Sequence, residues 1–330
     1  MKKIFISIIS IIILIFIGIE ILTESQTILK TVIFSFSIWT NNIFPSLFPF
    51  FVLSEILINF GFIEFAAELF KPIMYKLFKV KGEASFVFIM SMISGFPSNA
   101  KYVRELYNKN MLDENEASKI LMFTHFSNPL FILGSISLTF LNNKEAGLLV
   151  LICHYLTNFI IGFLFRNYYP CPKENNKVSL KKAILNMHNK RINNNQKLGI
   201  IITNSLTNTI NTLLLILGVV TMFLCLTTII DNNINLNNYN QSILNGFIEM
   251  TQGLKYVGLL NIPLKLKTII STLIISFGGL SVHMQVISIL SDTKIKYLPF
   301  LTARVLHALI AGLLVFISFD YLVILIWYTR

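Results

Sequence analysis

The chain has 330 residues, 54% of them hydrophobic and only 13% charged, with 29 Phe and a mean hydropathy of +0.69. A soluble domain averages about 25% charged residues, so this chain is too apolar to cover its own surface in water. A cytosolic enzyme, a disulfide-stapled secreted domain and a nucleic-acid binder are excluded as first readings, and the expected fold class is an all-α polytopic membrane protein. The net charge of +11 is loop charge, because the Lys and Arg sit between apolar runs as they do around membrane spans. Cys153, Cys171 and Cys225 lie far apart, at no metal or redox spacing, and read as reduced residues.

Met1-Lys2-Lys3 precedes an apolar run over 4–22. It is longer than a signal-peptide core and no small-residue cleavage site follows, so 1–27 is read as a retained transmembrane segment with its start inside. A long helix is expected over 28–59. In 62–81, Lys71, Lys76, Lys79 and Lys81 alternate with Phe65, Leu69, Ile73, Met74, Leu77 and Phe78, the pattern of a helix lying in the interface. The apolar stretch 84–95 stops at Ser94-Gly95-Phe96-Pro97-Ser98-Asn99, which predicts a broken hairpin over 84–108. Membrane helices follow over 114–141 and 146–166.

The segment 166–197 carries eight Lys or Arg against the single acid Glu174, and so is assigned to the cytoplasm. The second half reads as a long helix over 198–230, a loop over 231–241 without Lys or Arg, an amphipathic stretch over 242–258, a broken hairpin over 262–291 interrupted at Phe277-Gly278-Gly279-Leu280-Ser281, and a helix over 296–319. The order of element types repeats, and the two lead helices run in opposite directions. This is the plan of an inverted repeat, with halves at 28–166 and 198–320, a basic linker at 167–197 and a tail at 321–330. One conflict with the loop-charge rule remains: Lys255, Lys265, Lys267, Lys294 and Lys296 fall on the non-cytoplasmic face.

Unpaired backbone groups in hydrocarbon cost several kcal/mol each, so interrupted helices persist where they line a water-filled space or are buried in protein. A helix starting after Pro97 aims its N-terminal N–H groups into the break and favours an anion there. A simple Pro or Gly kink is the bland alternative for each break taken alone.

Phe44-Pro45-Ser46-Leu47-Phe48-Pro49-Phe50, Ser94 to Lys101, Phe123-Thr124-His125-Phe126-Ser127-Asn128-Pro129, Phe277 to Gln285, Tyr297-Leu298-Pro299-Phe300 and Ala303-Arg304 occur in that order. Together they resemble the YlbJ-type sporulation integral membrane proteins, which carry paired nucleoside-recognition (Gate) domains. The resemblance implies a protein of the outer forespore membrane, made in the mother cell, that moves dipicolinic acid toward the forespore by alternating access. Members often carry Gly-Tyr-Pro where this chain has Gly95-Phe96-Pro97, so an aromatic hydroxyl is lost and Ser98-Asn99 add polarity.

Dipicolinate is planar and dianionic near neutral pH, so the expected partner is a small anionic substrate met by fixed positive charge, donors and a flat apolar wall. The candidate binding residues are Ser94, Gly95, Phe96, Pro97, Ser98, Asn99, Lys101, Asn128, Gly278, Gly279, Ser281, His283, Gln285 and Arg304. Each carries an alternative. Arg304 can pair with a buried acid, Lys101 can snorkel to Glu105, and His283 can be a structural hydrogen-bonding group. His125 and His307 read as packing residues. Glu55 and Glu249 either carry a coupling proton or cation or neutralise Arg304. No nucleophile–base set, phosphate loop or metal cluster is present, so no catalysis and no cofactor is expected. Two rival readings are transport of nucleosides or bases and a structural membrane protein of spore formation that carries nothing.

Overall fold

The computed structural model describes residues 2–172 and 177–329; Lys173 and Glu174 of the basic linker lie outside the described residues. All regular structure among them is helical. The first span, α1 (Lys2–Thr23), presents Ile and Phe on all sides to the surroundings, as a helix bathed in lipid does. It leads into a continuous 35-residue helix, α2 (Ser25–Ile38) and α3 (Phe44–Asn59), joined by a π-helical turn at Trp39–Ile43. Pro45 lacks an N–H, and its ring would strike the carbonyl of Asn41 in a regular α-helix, so the helix widens there. Next come α4 (Phe62–Phe78), α5 (Ala84–Ser94), α6 (Ser98–Asn108) and α7 (Glu114–Phe123), the last started by an Asp113/Glu116 capping box. The chain is unwound over 124–128 and resumes as a π-helical stretch, Phe131–Phe140, before α8 (Lys144–Leu164).

In the linker, α9 (Leu180–Asn194) lies on α4, with Lys182 and Lys190 facing Glu68 and Glu64 at 3.7 and 3.6 Å. The second half contains α10 (Leu198–Asn233), α11 (Asn238–Ile248), α12 (Met250–Leu259), α13 (Leu264–Phe277), α14 (Gly279–Leu290) and α15 (Tyr297–Thr329). Among the described residues six helices are long and apolar enough to cross a membrane, which agrees with a polytopic membrane protein.

The lead helices are antiparallel. Trp39 Nε1 donates to the Leu213 carbonyl at 3.0 Å, Ser35 meets Thr221 at 2.8 Å and Thr31 meets Thr228 at 2.9 Å, so α2 advances as α10 recedes. The closing helices α8 and α15 are antiparallel too, with His307 against the His154 carbonyl and Arg304 against Asn158.

The residue-level match between halves differs from the sequence expectation. The counterpart of the hairpin α5–α6 is α11–α12, over 238–259, and not 262–291. The limbs of α11–α12 touch so closely that a side chain on Gly253 would lie 2.1 Å from the Gly246 Cα. Residues Leu264–Leu290 instead form one interrupted span, the partner of α7 and the π-helical stretch after it. The contacts repeat accordingly: α6 meets α7 and α14, while α12 meets α13 and the Phe131–Phe140 stretch. The sequence hid this hairpin because its tip, Glu249, is neither Gly nor Pro; the turn comes from one extended residue whose own carboxylate caps α12.

A span over 264–290 carries the following loop back to the linker's face. Arg104 holds Asp292 there at 2.8 and 2.5 Å, and Lys296 reaches Glu114 and Asn115. Lys294 and Lys296 therefore sit on the same face as the basic linker, which removes their part of the charge conflict. Lys255, Lys265 and Lys267 stay on the far side, engaged with Phe34, Asp320 and the Gly258 carbonyl.

Candidate functional site

Each hairpin tip crosses the interrupted span of its own half. At the first crossing, Gly95 has φ +79°, and a Cβ there would lie 2.4 Å from the Asn128 backbone nitrogen. Only glycine fits both the torsion and the approach. Asn128 fastens the crossing: Nδ2 donates to the Ser94 carbonyl at 3.0 Å and Oδ1 accepts the Leu130 N–H at 2.7 Å. The Phe96 ring stacks on His125 at 4.9 Å, and His125 Nδ1 lies 3.1 Å from Asn99 Oδ1. Ser94 donates to the Met90 carbonyl, and Ser98 to the Gly95 carbonyl.

The carbonyls freed by unwinding 124–128 are met by Arg304. Its guanidinium is fully buried and donates to Met122 O at 2.6 Å, His125 O at 3.3 Å and Asn158 Oδ1 at 3.4 Å. Among the described residues no acid pairs with it.

At the second crossing, Gly279 has φ +66°, and a Cβ there would sit 3.1 Å from the Met250 nitrogen. Glu249, 1% exposed, accepts the Gln252 N–H at 2.9 Å and the hydroxyls of Thr251 and Ser281 at 3.2 and 3.4 Å. His154 ties the two crossings together. Its Nε2 accepts the Ser127 N–H at 2.9 Å, which leaves Nδ1 protonated to donate to Ser276 at 3.1 Å. His283 spans Tyr297 at 2.7 Å and the Phe277 carbonyl at 3.1 Å.

Between the crossings lies a cavity of about 50 Å³. Asn42 and Ser46 beside the π-helical turn, Phe96, Pro97, Ser127, Asn128 and Phe131 from the first half, and Glu249, Met250, Thr251, Val282 and Gln285 from the second all line it. Glu249 is the only charged residue among them. A water needs roughly 10–15 Å³ by this measure, so the space takes a few waters and is too small for a larger cargo.

A wider, polar vestibule opens from the linker's face. Its outer part, about 470 Å³, is bounded by Lys190, Asn194, Asn204, Asn208 and Glu105; its inner part, about 360 Å³, by Asn208, Asn211, Arg104, Lys101 and Glu55. Carboxamides on one face of a long apolar helix belong beside water. At its floor Lys101 Nζ pairs with Glu55 at 3.0 Å and lies 4.8 Å over the Phe51 ring. Leu47, Phe51, Leu213, Ile216 and Val220 form the dry cluster of α3 and α10 between vestibule and cavity.

Residues 40–144 match the nucleoside-recognition (Gate) family. The chain is also 34% identical, over 303 aligned positions covering 84% of it and 74% of the relative, to the sporulation integral membrane protein YlbJ of Bacillus subtilis. The chain belongs to the YlbJ family. No solved structure matches it.

The candidate residues of this YlbJ-family chain fall into distinct places. Phe96, Pro97, Asn128, Gln285 and Glu249 line the cavity. Ser94, Gly95, Ser98 and Asn99 build the first crossing behind it, and Gly278, Gly279, Ser281 and His283 build the second. Lys101 and Glu55 close the vestibule floor, and Arg304 fills the break in the first-half span. Lys101 pairs with Glu55, while Glu105 takes Lys109 at 2.8 Å.

Sequence reading passed over Asn42, Ser46, Ser127 and Thr251 in the cavity and the Asn204, Asn208, Asn211 series in the vestibule. The series carried a usable signal, three amides at helical spacing within a membrane helix. The Asn42-Pro45 spacing hinted at the π-helical turn. Ser127 lies within a family motif without being singled out there, and nothing in the local sequence marks Thr251.

Proposed function

We propose that the protein is an alternating-access transporter of the outer forespore membrane that carries dipicolinic acid, a small aromatic dicarboxylate, from the mother-cell cytoplasm toward the forespore. The observation that carries the reading is the convergence of four interrupted backbone segments, two from each half, around one small, mainly apolar cavity edged by Asn42, Asn128, Glu249 and Gln285, beneath a wider polar vestibule. Membership of the YlbJ family supports a membrane protein of sporulation, and the cargo is what the resemblance implies. In this reading the vestibule gathers cargo, and a cargo carboxylate competes with Glu55 for Lys101. Parting of α3 and α10 at Leu47 and Ile216 then admits it to the cavity. There Phe96 and Phe131 offer flat apolar walls, and Asn42, Asn128 and Gln285 offer amide groups. Arg304 acts indirectly, by holding the broken span open beside the tip.

One observation favours a second reading. The cavity lining is aliphatic and aromatic with a few amides and hydroxyls, one carboxylate and no cation, which suits a neutral nucleoside, and residues 40–144 match the nucleoside-recognition family. Uptake of labelled dipicolinate and labelled uridine into proteoliposomes separates the two. The first reading expects dipicolinate flux that slows in Lys101→Gln; uridine flux without dipicolinate flux replaces it with the second.

A further inference from the structure

We infer that Glu249 is a proton-binding site, and that an anionic cargo occupies the central cavity only while this carboxyl is protonated, so that cargo and proton move together. The inference rests on the transport reading above and adds what drives it. Its basis is the charge inventory of the cavity. Among the described residues Glu249 is the only charged one in the lining, it is almost wholly buried, and no Lys or Arg of theirs pairs with it. The ionisable groups on the elements packed around it are engaged elsewhere. On α10, Asp231 takes Asn245 and Tyr256; on α12, Lys255 lies over Phe34. Lys265 and Lys267 on α13 hold Asp320 and the Gly258 carbonyl, and His283 on α14 bridges Tyr297 and the Phe277 carbonyl.

An ionised carboxylate here would face an incoming carboxylate across a few ångströms of low-dielectric space, where like charges repel far more strongly than in water. A bound proton removes that repulsion. The immediate partners suit both states. Thr251 and Ser281 are hydroxyls that donate to a carboxylate and accept from a carboxylic acid, and the Gln252 N–H serves either form. A metal ion fits less well. It needs several converging oxygen ligands, whereas one near partner of Glu249 is an N–H, and no group of three His, Cys, Asp or Glu exists among the described residues.

The test uses the full-length protein in proteoliposomes with labelled dipicolinate and the membrane potential clamped. With a one-unit pH gradient, wild type should accumulate cargo up to about tenfold per coupled proton, and Glu249→Gln should not respond to the gradient. Wild-type uptake indifferent to the pH gradient, uptake driven instead by a sodium gradient, or a gradient response retained in Glu249→Gln each overturns the proposal. Infrared spectroscopy of the unloaded protein gives a readout that needs no cargo: a protonated-carboxyl band in wild type that Glu249→Gln removes. Its absence at every pH overturns the proton site whatever the cargo. Should uridine move and dipicolinate not, the cargo reading fails, and the same gradient and infrared measurements still decide the role of Glu249.

Discussion

Where the tip at Gly95 crosses 124–128, backbone touches backbone, amide and serine groups fasten the contact, and a buried guanidinium takes the freed carbonyls. Where the tip at Glu249 crosses Gly278–Gly279, the approach is looser, the cap is a carboxylate, and that carboxylate looks into the cavity. The same topological device thus appears once fastened by amides and a guanidinium and once capped by a carboxylate that lines the cavity. The halves differ because interrupted backbone has orphan groups to satisfy. Satisfying carbonyls with Arg304 buries a cation away from the cavity, whereas satisfying N–H groups with Glu249 leaves an anion beside it.

The largest effect that would sharpen this contrast is at the two glycines. Gly95→Ala should cost more than about 3 kcal/mol, because the torsion is essentially glycine-only and the clash is with backbone. Gly279→Ala should cost about 1–2 kcal/mol for its left-handed torsion, with three backbone atoms at 3.1–3.3 Å having to give by a few tenths of an ångström rather than by the larger shift needed at Gly95. Thermal unfolding in detergent compares them, and equal losses would dissolve the distinction. Arg304→Gln should come next, at about 2–4 kcal/mol, since the Met122 and His125 carbonyls lose their donor. Glu249→Gln should change stability by less than about 1 kcal/mol, as an amide can still accept from Gln252 and Thr251. A melt in which Glu249→Gln falls as far as Arg304→Gln would break the comparison. At the vestibule floor, Lys101→Gln should slow dipicolinate uptake roughly tenfold, the loss of one charge-assisted contact, and leave uridine flux unchanged.

The smallest expected effect lies at the solvent-facing end of the first half. The Arg104 hydrogen bond holds the exposed Asp292 carboxyl below its ordinary value. A lowered carboxylate contributes stability above the unfolded value near 3.9 and loses it as the pH falls through the folded one, so the clasp should weaken only in acid. Asp292→Asn should cost within about 1 kcal/mol at neutral pH, read as a small shift in melting temperature.

Much of the fold was legible residue by residue. Apolar length announced α1, α8 and α10, and Gly95-Phe96-Pro97 and Gly278-Gly279 announced two of the breaks because they remove side chains or N–H groups. The tip at Glu249 was not legible, since an extended glutamate looks like any helical one until its carboxylate is seen capping the next helix. Without that tip the second hairpin was displaced by one element, and with it the face assigned to Lys294 and Lys296. The unwinding at 124–128 showed only as Asn128-Pro129, whereas the donor that satisfies its freed carbonyls, Arg304, sits far along the chain.

Composition and pattern alone determined that this chain lives in a bilayer and that its helices are interrupted, because those properties follow from apolar length and backbone chemistry. Only the tertiary structure decided which interruptions cross, which of the buried charges stands inside the cavity and which merely holds the frame. Residues far apart in sequence make those assignments, and the charge of a site depends on what surrounds it in space.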